Sequence, residues 1–152
     1  MRRAIAALAA ACLALAWGGE ASAQASAKQS QVRGYLTAQA GKHRDAGFAP
    51  ASGVADFSAM IALRGGVIWP VRLRAGMTYR VFAVCDNDCA DVDLDLYDPQ
   101  GRYIGQDVAV NDKPYVEVTP PRDGEYFARL WLVVCENEPC AVGGRVYARP
   151  AQ

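Results

Sequence analysis

Six aspartates fall between positions 86 and 98, as Asp86, Asp88, Asp91, Asp93, Asp95 and Asp98, with Asp107 and Asp112 close behind. Carboxylate oxygens are hard ligands, and calcium gathers about six to eight such oxygens in loops. The spacing is not that of an EF-hand: counting from Asp91, Leu96 stands where the invariant glycine belongs and Arg102 where the bidentate glutamate belongs. Asp86, Asp88 and Asp91 sit in a short polar stretch able to fold round one ion, so these three are the candidate calcium ligands, and calcium is the only cofactor the composition suggests. Asp91, Asp93 and Asp95 alternate with Val92, Leu94 and Leu96, the period of a strand with one apolar and one polar face. Same-face neighbours stand ~6.6 Å apart and repel by only about 0.6 kcal/mol in water, so the row needs no cation to be tolerated. Arg72, Arg74 and Arg80, on neighbouring expected strands, are placed to offset it across a sheet.

The cysteines form a second constellation. Beyond Cys12 they come as Cys85-Asp-Asn-Asp-Cys89 and Cys135-Glu-Asn-Glu-Pro-Cys140. Crossed bridging through Cys85 and Cys135 would constrain the unfolded chain by about 4 kcal/mol, against about 2 kcal/mol for each local bridge. Geometry points the other way, because each pair brackets a polar turn that can bring its Cα atoms within the ~4.4 to 6.8 Å a disulfide requires. Cys85–Cys89 and Cys135–Cys140 are therefore the expected bridges. The same four residues resemble a zinc tetrad, but Asp86, Asp88, Glu136 and Glu138 would raise thiol pKa values, and the export segment described below implies an oxidising compartment.

Catalytic groups are sparse. His43 is the only histidine and lies on the apolar side of an expected helix, where it reads as a packed residue rather than a general base. No nucleophile elbow, zinc-protease helix or phosphate-cradling glycine loop is present, so no catalytic residue is expected. Trp69, Trp131, Tyr97, Tyr103, Tyr115 and Tyr147 are a candidate stacking surface if they share an exposed face; core and cross-strand packing is the competing role, above all for Trp131 between Leu130 and Leu132.

Residues 1–23 read as a cleaved export signal: Arg2 and Arg3, an apolar run from Ala4 to Trp17, and Ala21-Ser22-Ala23 as the cleavage motif. The apolar run is too short to span a bilayer, and Cys12 within it reads as one more small apolar residue. Of 16 basic and 16 acidic residues, cleavage would remove Arg2, Arg3 and Glu20, leaving 14 against 15 and a net charge of −1. That balance argues against nucleic acid as a partner, and no further run is long enough to span a membrane after cleavage. The expected location is periplasmic or secreted.

The elements that position these residues follow from the change in period along the chain. Val32, Tyr35, Leu36, Gln39, Ala40 and His43 recur at helical spacing between Lys28 and Ala46, with Gly47 as the cap. Beyond Pro50 the pattern becomes eight short strands: 57–63, 67–73, 78–85, 91–98, 103–110, 115–119, 125–135 and 144–149, separated by glycine, proline and asparagine turns. Gly76-Met-Thr-Tyr79 and Gly124-Glu-Tyr126 each lead a strand that ends in a cysteine loop, which suggests two equivalent strands with their loops on comparable rims. The expected fold is all-β, an antiparallel jelly-roll-like sandwich with one short N-terminal helix. Its organisation is a signal at 1–23, a helical segment at 24–53 and a sandwich domain at 54–150.

Asp91, Asp93, Leu94, Leu96, Asp98 and Gly101, followed by Gly124 and Tyr126, resemble the bacterial pre-peptidase C-terminal (PPC) domain, with its D-x-D-L strand, glycine turn and later G-x-Y strand. The likeness spans about Val67 to Arg149, and the cysteine loops depart from it. It implies a non-catalytic binding or stabilising module, directed at a protein or an envelope polymer, and some members of the family bind calcium. No peptidase precedes the domain in this sequence, so the usual host is missing. The alternatives are an envelope structural protein without a discrete ligand and a calcium-binding accessory domain.

Overall fold

A computed structural model describes Trp17–Gln152. Arg2, Arg3, Cys12 and most of the expected export run lie outside the described residues. Helix α1 spans Trp17–Asp45, starting 11 residues before the expected Lys28 and running through Ala21-Ser22-Ala23. Its buried face carries Lys28, Val32, Leu36 and His43, the helical spacing read from the sequence. Gly47, at φ 81°, ends it. The Gly47 N–H donates to the Arg44 carbonyl at 2.8 Å and the Phe48 N–H to the His43 carbonyl at 2.9 Å, a paired closure that needs a left-handed residue.

Nine antiparallel strands follow: β1 Ala49–Pro50, β2 Phe57–Ile61, β3 Gly66–Leu73, β4 Met77–Cys85, β5 Cys89–Tyr97, β6 Tyr103–Asp107, β7 Tyr115–Val118, β8 Gly124–Cys135 and β9 Cys140–Pro150. Eight match the expected strands. β1 is an addition, paired to β9 through Ala49 and Pro50. β6 ends at Asp107, not Val110, and β9 begins at Cys140, four residues before the expected Gly144. One sheet has the order β1-β9-β4-β7 with β2 also on β9, and the other β3-β8-β5-β6. The chain crosses repeatedly between the two, in the strand order of a jelly roll. Pro70 is tolerated in β3 because that strand is an edge.

The inner faces meet in a core of Trp69, Val71, Val81, Val92, Leu94, Leu96, Leu130, Leu132, Val142 and Val146. A second core lies outside the first sheet, where Val32 and Leu36 of α1 and Phe48 pack on Phe82, Val84, Ala141 and Tyr147. With both its faces covered, β4 is buried at every residue from Val81 to Cys85, whereas β3 alternates buried and exposed positions along its second half. Gly143 and Gly144 of β9 serve both cores. A Cβ on Gly143 would meet Val32 Cγ1 at 2.3 Å, and one on Gly144 would meet Trp69 Cζ3 at 2.3 Å. Only glycine lets the helix and the indole approach one strand from opposite sides.

The echo between the two glycine-led strands has a structural cause. Tyr79 and Tyr126 are both buried, and each ties its hydroxyl to the turn just upstream. The Tyr79 hydroxyl accepts from the Arg74 N–H at 3.1 Å, and the Tyr126 hydroxyl donates to the Arg122 carbonyl at 3.2 Å. Asp98-Pro99-Gln100-Gly101 closes the β5–β6 hairpin as its composition suggests. The Asp98 side chain accepts from the Gln100 and Arg102 N–H groups, both at 2.9 Å, and Gly101 adopts φ 73°. Pro99 packs where a Cβ on Gly124 would sit, 2.7 Å away. Asp98, Gly101, Gly124 and Tyr126 thus all have roles in shaping turns.

Candidate functional site

Two regions gather the residues singled out in the sequence. The first is the rim formed by the disulfide loops. Cys85 is bonded to Cys89 with Cα atoms 5.8 Å apart, and Cys135 to Cys140 at 6.1 Å. Bonded sulfurs leave no thiolates for zinc. The loops lie side by side: Cys89 is in register with Cys135, the Glu136 N–H donates to the Asp88 carbonyl at 2.8 Å, and Asn137 Nδ2 donates to Asp88 Oδ1 at 3.0 Å.

A lysine that sequence reasoning passed over occupies their centre. Lys28 of α1 places Nζ 2.8 Å from Asp88 Oδ2 and 4.0 Å from Asp86 Oδ2, and donates to the carbonyls of Asn137 at 2.5 Å and Pro139 at 2.9 Å. Asp86 is buried, its Oδ2 accepting from the Ala141 N–H at 2.7 Å and its Oδ1 from the Asp88 N–H at 3.1 Å. Hydrogen bonds from Lys28 and then Asn137 hold the Asp88 carboxyl below the usual carboxylate range. Asp91 turns away from this group and accepts from the Asn111 N–H at 3.2 Å. The three candidate calcium ligands therefore do not converge. Among the described residues no three acidic, histidine or cysteine side chains are grouped to hold a metal.

The second region is the outer face of β3-β8-β5-β6. Register builds it row by row. On β5, Asp91, Asp93, Asp95 and Tyr97 point outward, opposite Val134, Trp131, Arg129 and Phe127 of β8. β3 adds Gly66 beside Trp131, Ile68 beside Arg129 and Pro70 beside Phe127, while β6 sets Tyr103 against Tyr97. The six-membered ring of Trp131 covers Gly66, where a Cβ would meet Cε3 at 2.9 Å. This is cross-strand packing that leaves the indole 37 % exposed. Tyr97 and Tyr103 meet edge to face with centroids 6.1 Å apart.

Of the candidate aromatics, Trp131, Tyr97 and Tyr103 thus share one face. Trp69 and Tyr147 are core residues, and Tyr115 lies in the other sheet under the Arg80 guanidinium, 4.6 Å from its ring centroid. No described element covers the shared face as α1 covers the opposite sheet. Exposed Ile68, Tyr103, Ile104, Val108, Val110, Trp131 and Val134 all lie in or beside its strands, and among the described residues only Leu63 and Tyr115 of the large exposed apolar side chains stand elsewhere.

The aspartate row is not the solvated ridge that its spacing suggests. Asp91 and Asp95 are each only 5 % exposed. Asp91 is covered by the segment that follows β6, through Asn111, and Asp95 is held by Arg129, whose Nε and Nη2 donate to Oδ2 at 2.8 and 2.5 Å. The expected partners are engaged elsewhere: Arg80 with Glu117 in the other sheet, and Arg72 at 4.0 Å from Glu125. Arg129 was missed because it lies 34 residues from Asp95, and only the β5–β8 register brings the pair together. The Asp93 carboxyl is raised above its usual range by burial first, then by Asp91 and Asp95.

His43 is a packing residue. It stacks on Tyr147 at 4.0 Å, meets Phe82 edge-on at 4.6 Å and faces Arg80 Nη1 through Nδ1 at 3.3 Å. Burial, then Arg80, Arg145 and Lys42, lower its pKa to about 4. A neutral imidazole enclosed in this way is a poor general base. A surface depression of about 620 Å³ brings Arg72 and Arg74 beside Asp123 and Glu125, and neither histidine nor cysteine lines it.

No protein-family profile matches the chain, and no curated protein matches it in sequence. Among solved structures, it is similar to the Aeromonas hydrophila protein PliG, a periplasmic lysozyme inhibitor of g-type lysozyme, at 15 % identity and a TM-score of 0.49, over 65 % of this chain and 90 % of that one. At that identity no residue role is transferred from the inhibitor to this chain.

Proposed function

We propose that this protein is an exported, non-catalytic binding module whose contact surface is the open face of β3-β8-β5-β6 and whose ligand is another protein. The observation that carries the reading is the asymmetry of the sandwich. One sheet is covered by α1 and the other is bare, and the exposed apolar side chains gather on the bare one. Monomeric proteins rarely leave clustered apolar surface uncovered unless something docks there. Two disulfides are consistent with an oxidising compartment outside the cytoplasm. His43 is neutral and enclosed, and the four cysteines of the loops are bonded, so neither residue type supplies a free base or thiolate here.

The test is retention of envelope proteins and purified envelope polymers by immobilised protein, compared with an Ile68→Glu, Tyr103→Glu double variant. Both positions are more than half exposed, at 51 % and 53 %, so the variant is expected to fold. Specific retention of a protein by the native chain and its loss in the variant is the expected result. Equal retention by both would remove the open face from the reading, and retention of a polymer alone would remove the protein ligand.

A further inference from the structure

The open face is charged as well as apolar, and its charges do not balance. Asp91, Asp93, Asp95 and Glu125 point from it, against Arg129 and Arg72. Three of the four carboxylates are engaged: Asp95 by Arg129, Asp91 by the Asn111 N–H, and Glu125 by Arg72 at 4.0 Å. Among the described residues Asp93 has no hydrogen-bond or ion-pair partner. It stands between two carboxylates of its own strand, in register with the partly exposed Trp131 of β8, whose indole leans the other way over Gly66 of β3. A half-buried anion without a partner on an open face fits a cation that pairs with it. The face already holds one such arrangement internally, since the Arg129 guanidinium lies 5.7 Å from the Trp131 ring while pairing with Asp95.

Resting on the reading of this face as a protein-binding surface, we propose that the partner is a basic protein and that one of its lysine or arginine side chains pairs with Asp93. The carboxylate excess disfavours nucleic acid and anionic lipid, whose phosphates would meet like charge. The surface in and beside these strands is also aliphatic, with Ile68, Ile104, Val108, Val110 and Val134 exposed, and branched aliphatic surface matches protein side chains better than sugar rings.

The experiment is amide-shift mapping of the isotope-labelled protein with three probes: an amphipathic decapeptide of arginine and leucine, the same peptide with glutamate for arginine, and a neutral chito-oligosaccharide. The expected result is that only the basic peptide shifts amides along β5 and β8, with binding that weakens as salt is added. Asp93→Asn should then weaken it about threefold to fivefold, the scale of one partly exposed ion pair, and Trp131→Ala should weaken it as well. Asp93→Asn removes a carboxylate with two like neighbours, so its melting temperature should equal or exceed that of the native chain. Shifts confined to the disulfide rim, or an Asp93→Asn variant that binds the basic peptide as well as the native protein, would overturn the proposal. If the acidic peptide or the oligosaccharide shifts the face and the basic peptide does not, the basic partner falls while the open face stands as a binding surface. If no probe shifts it, the basic partner falls and the retention comparison with the Ile68→Glu, Tyr103→Glu variant decides the face separately.

Discussion

The seam between α1 and its sheet should be acid-labile through His43 alone. The imidazole is enclosed by Tyr147, Phe82 and Arg80, and its folded pKa is lowered to about 4 from an ordinary 6.5. Arg80 faces it from β4, Arg145 reaches it from β9, and Lys42 lies on its own helix, so every charged neighbour opposes protonation. A histidine that binds its proton more weakly when folded favours the folded state above its unfolded pKa, and that contribution is lost as pH falls from 6.5 towards 4. The whole shift corresponds to about 3 kcal/mol, of which roughly 2 to 3 kcal/mol should be gone by about pH 4.5. His43→Phe keeps an aromatic ring against Tyr147 and removes the titration. Urea unfolding of both proteins at several pH values between about 7.5 and 4.5 isolates the effect, because other carboxylates titrate alike in the two and cancel in the difference. The native protein should lose stability relative to His43→Phe as the pH drops. Parallel pH profiles would refute the reasoning and show that the seam opens to hydrate the imidazolium without cost.

Lys28→Met should lower the melting temperature by several degrees, since it removes the one ammonium that draws the carbonyls of Asn137 and Pro139 and the side chains of Asp86 and Asp88 together. Among the described residues no acidic side chains are grouped to hold a metal, and Lys28 already pairs with Asp86 and Asp88, so thermal melts in millimolar calcium and in chelator should superimpose; a rise with calcium would contradict this. Gly144→Ala should cost about 1 to 3 kcal/mol by forcing the buried Trp69 indole aside, measured by chemical denaturation, because the new methyl would overpack a filled core.

Period and turn chemistry made most of the architecture readable. Val92, Leu94 and Leu96 are all fully buried, as their alternation requires, and Gly47, Gly76 and Gly101 take the positive φ their places at element ends suggest. Long-range pairing was not readable. Nothing local marks Lys28 as the partner of loops 58 or more residues away, or Arg129 as the partner of Asp95. Both depend on register and on where a helix lands, which are set by packing over the whole domain. The aspartate row shows the limit clearly: its alternation fixed which side it faces, but its burial was decided by Arg129 and by the segment through Asn111. Likewise, the six candidate stacking residues are visible in the chain, but only topology sorts Trp131, Tyr97 and Tyr103 from Trp69, Tyr147 and Tyr115.

The position of β9 constrains the order in which the domain can be assembled. It is the last of the nine strands in chain order, yet β1, β2 and β4 all pair with it, and α1, the first described element, rests on its Gly143. A chain emerging N-terminus first, from a ribosome or through a membrane pore, therefore has only Phe82 and Val84 of β4 for its helix to pack on until Ala141 and Tyr147 arrive with residues 140–150. β3 likewise waits for β8, because Val67, Trp69 and Val71 find their partners only at Tyr126 to Leu130. Neither sheet can be completed from the leading part of the chain, so the sandwich closes only once β8 and β9 are available to pair.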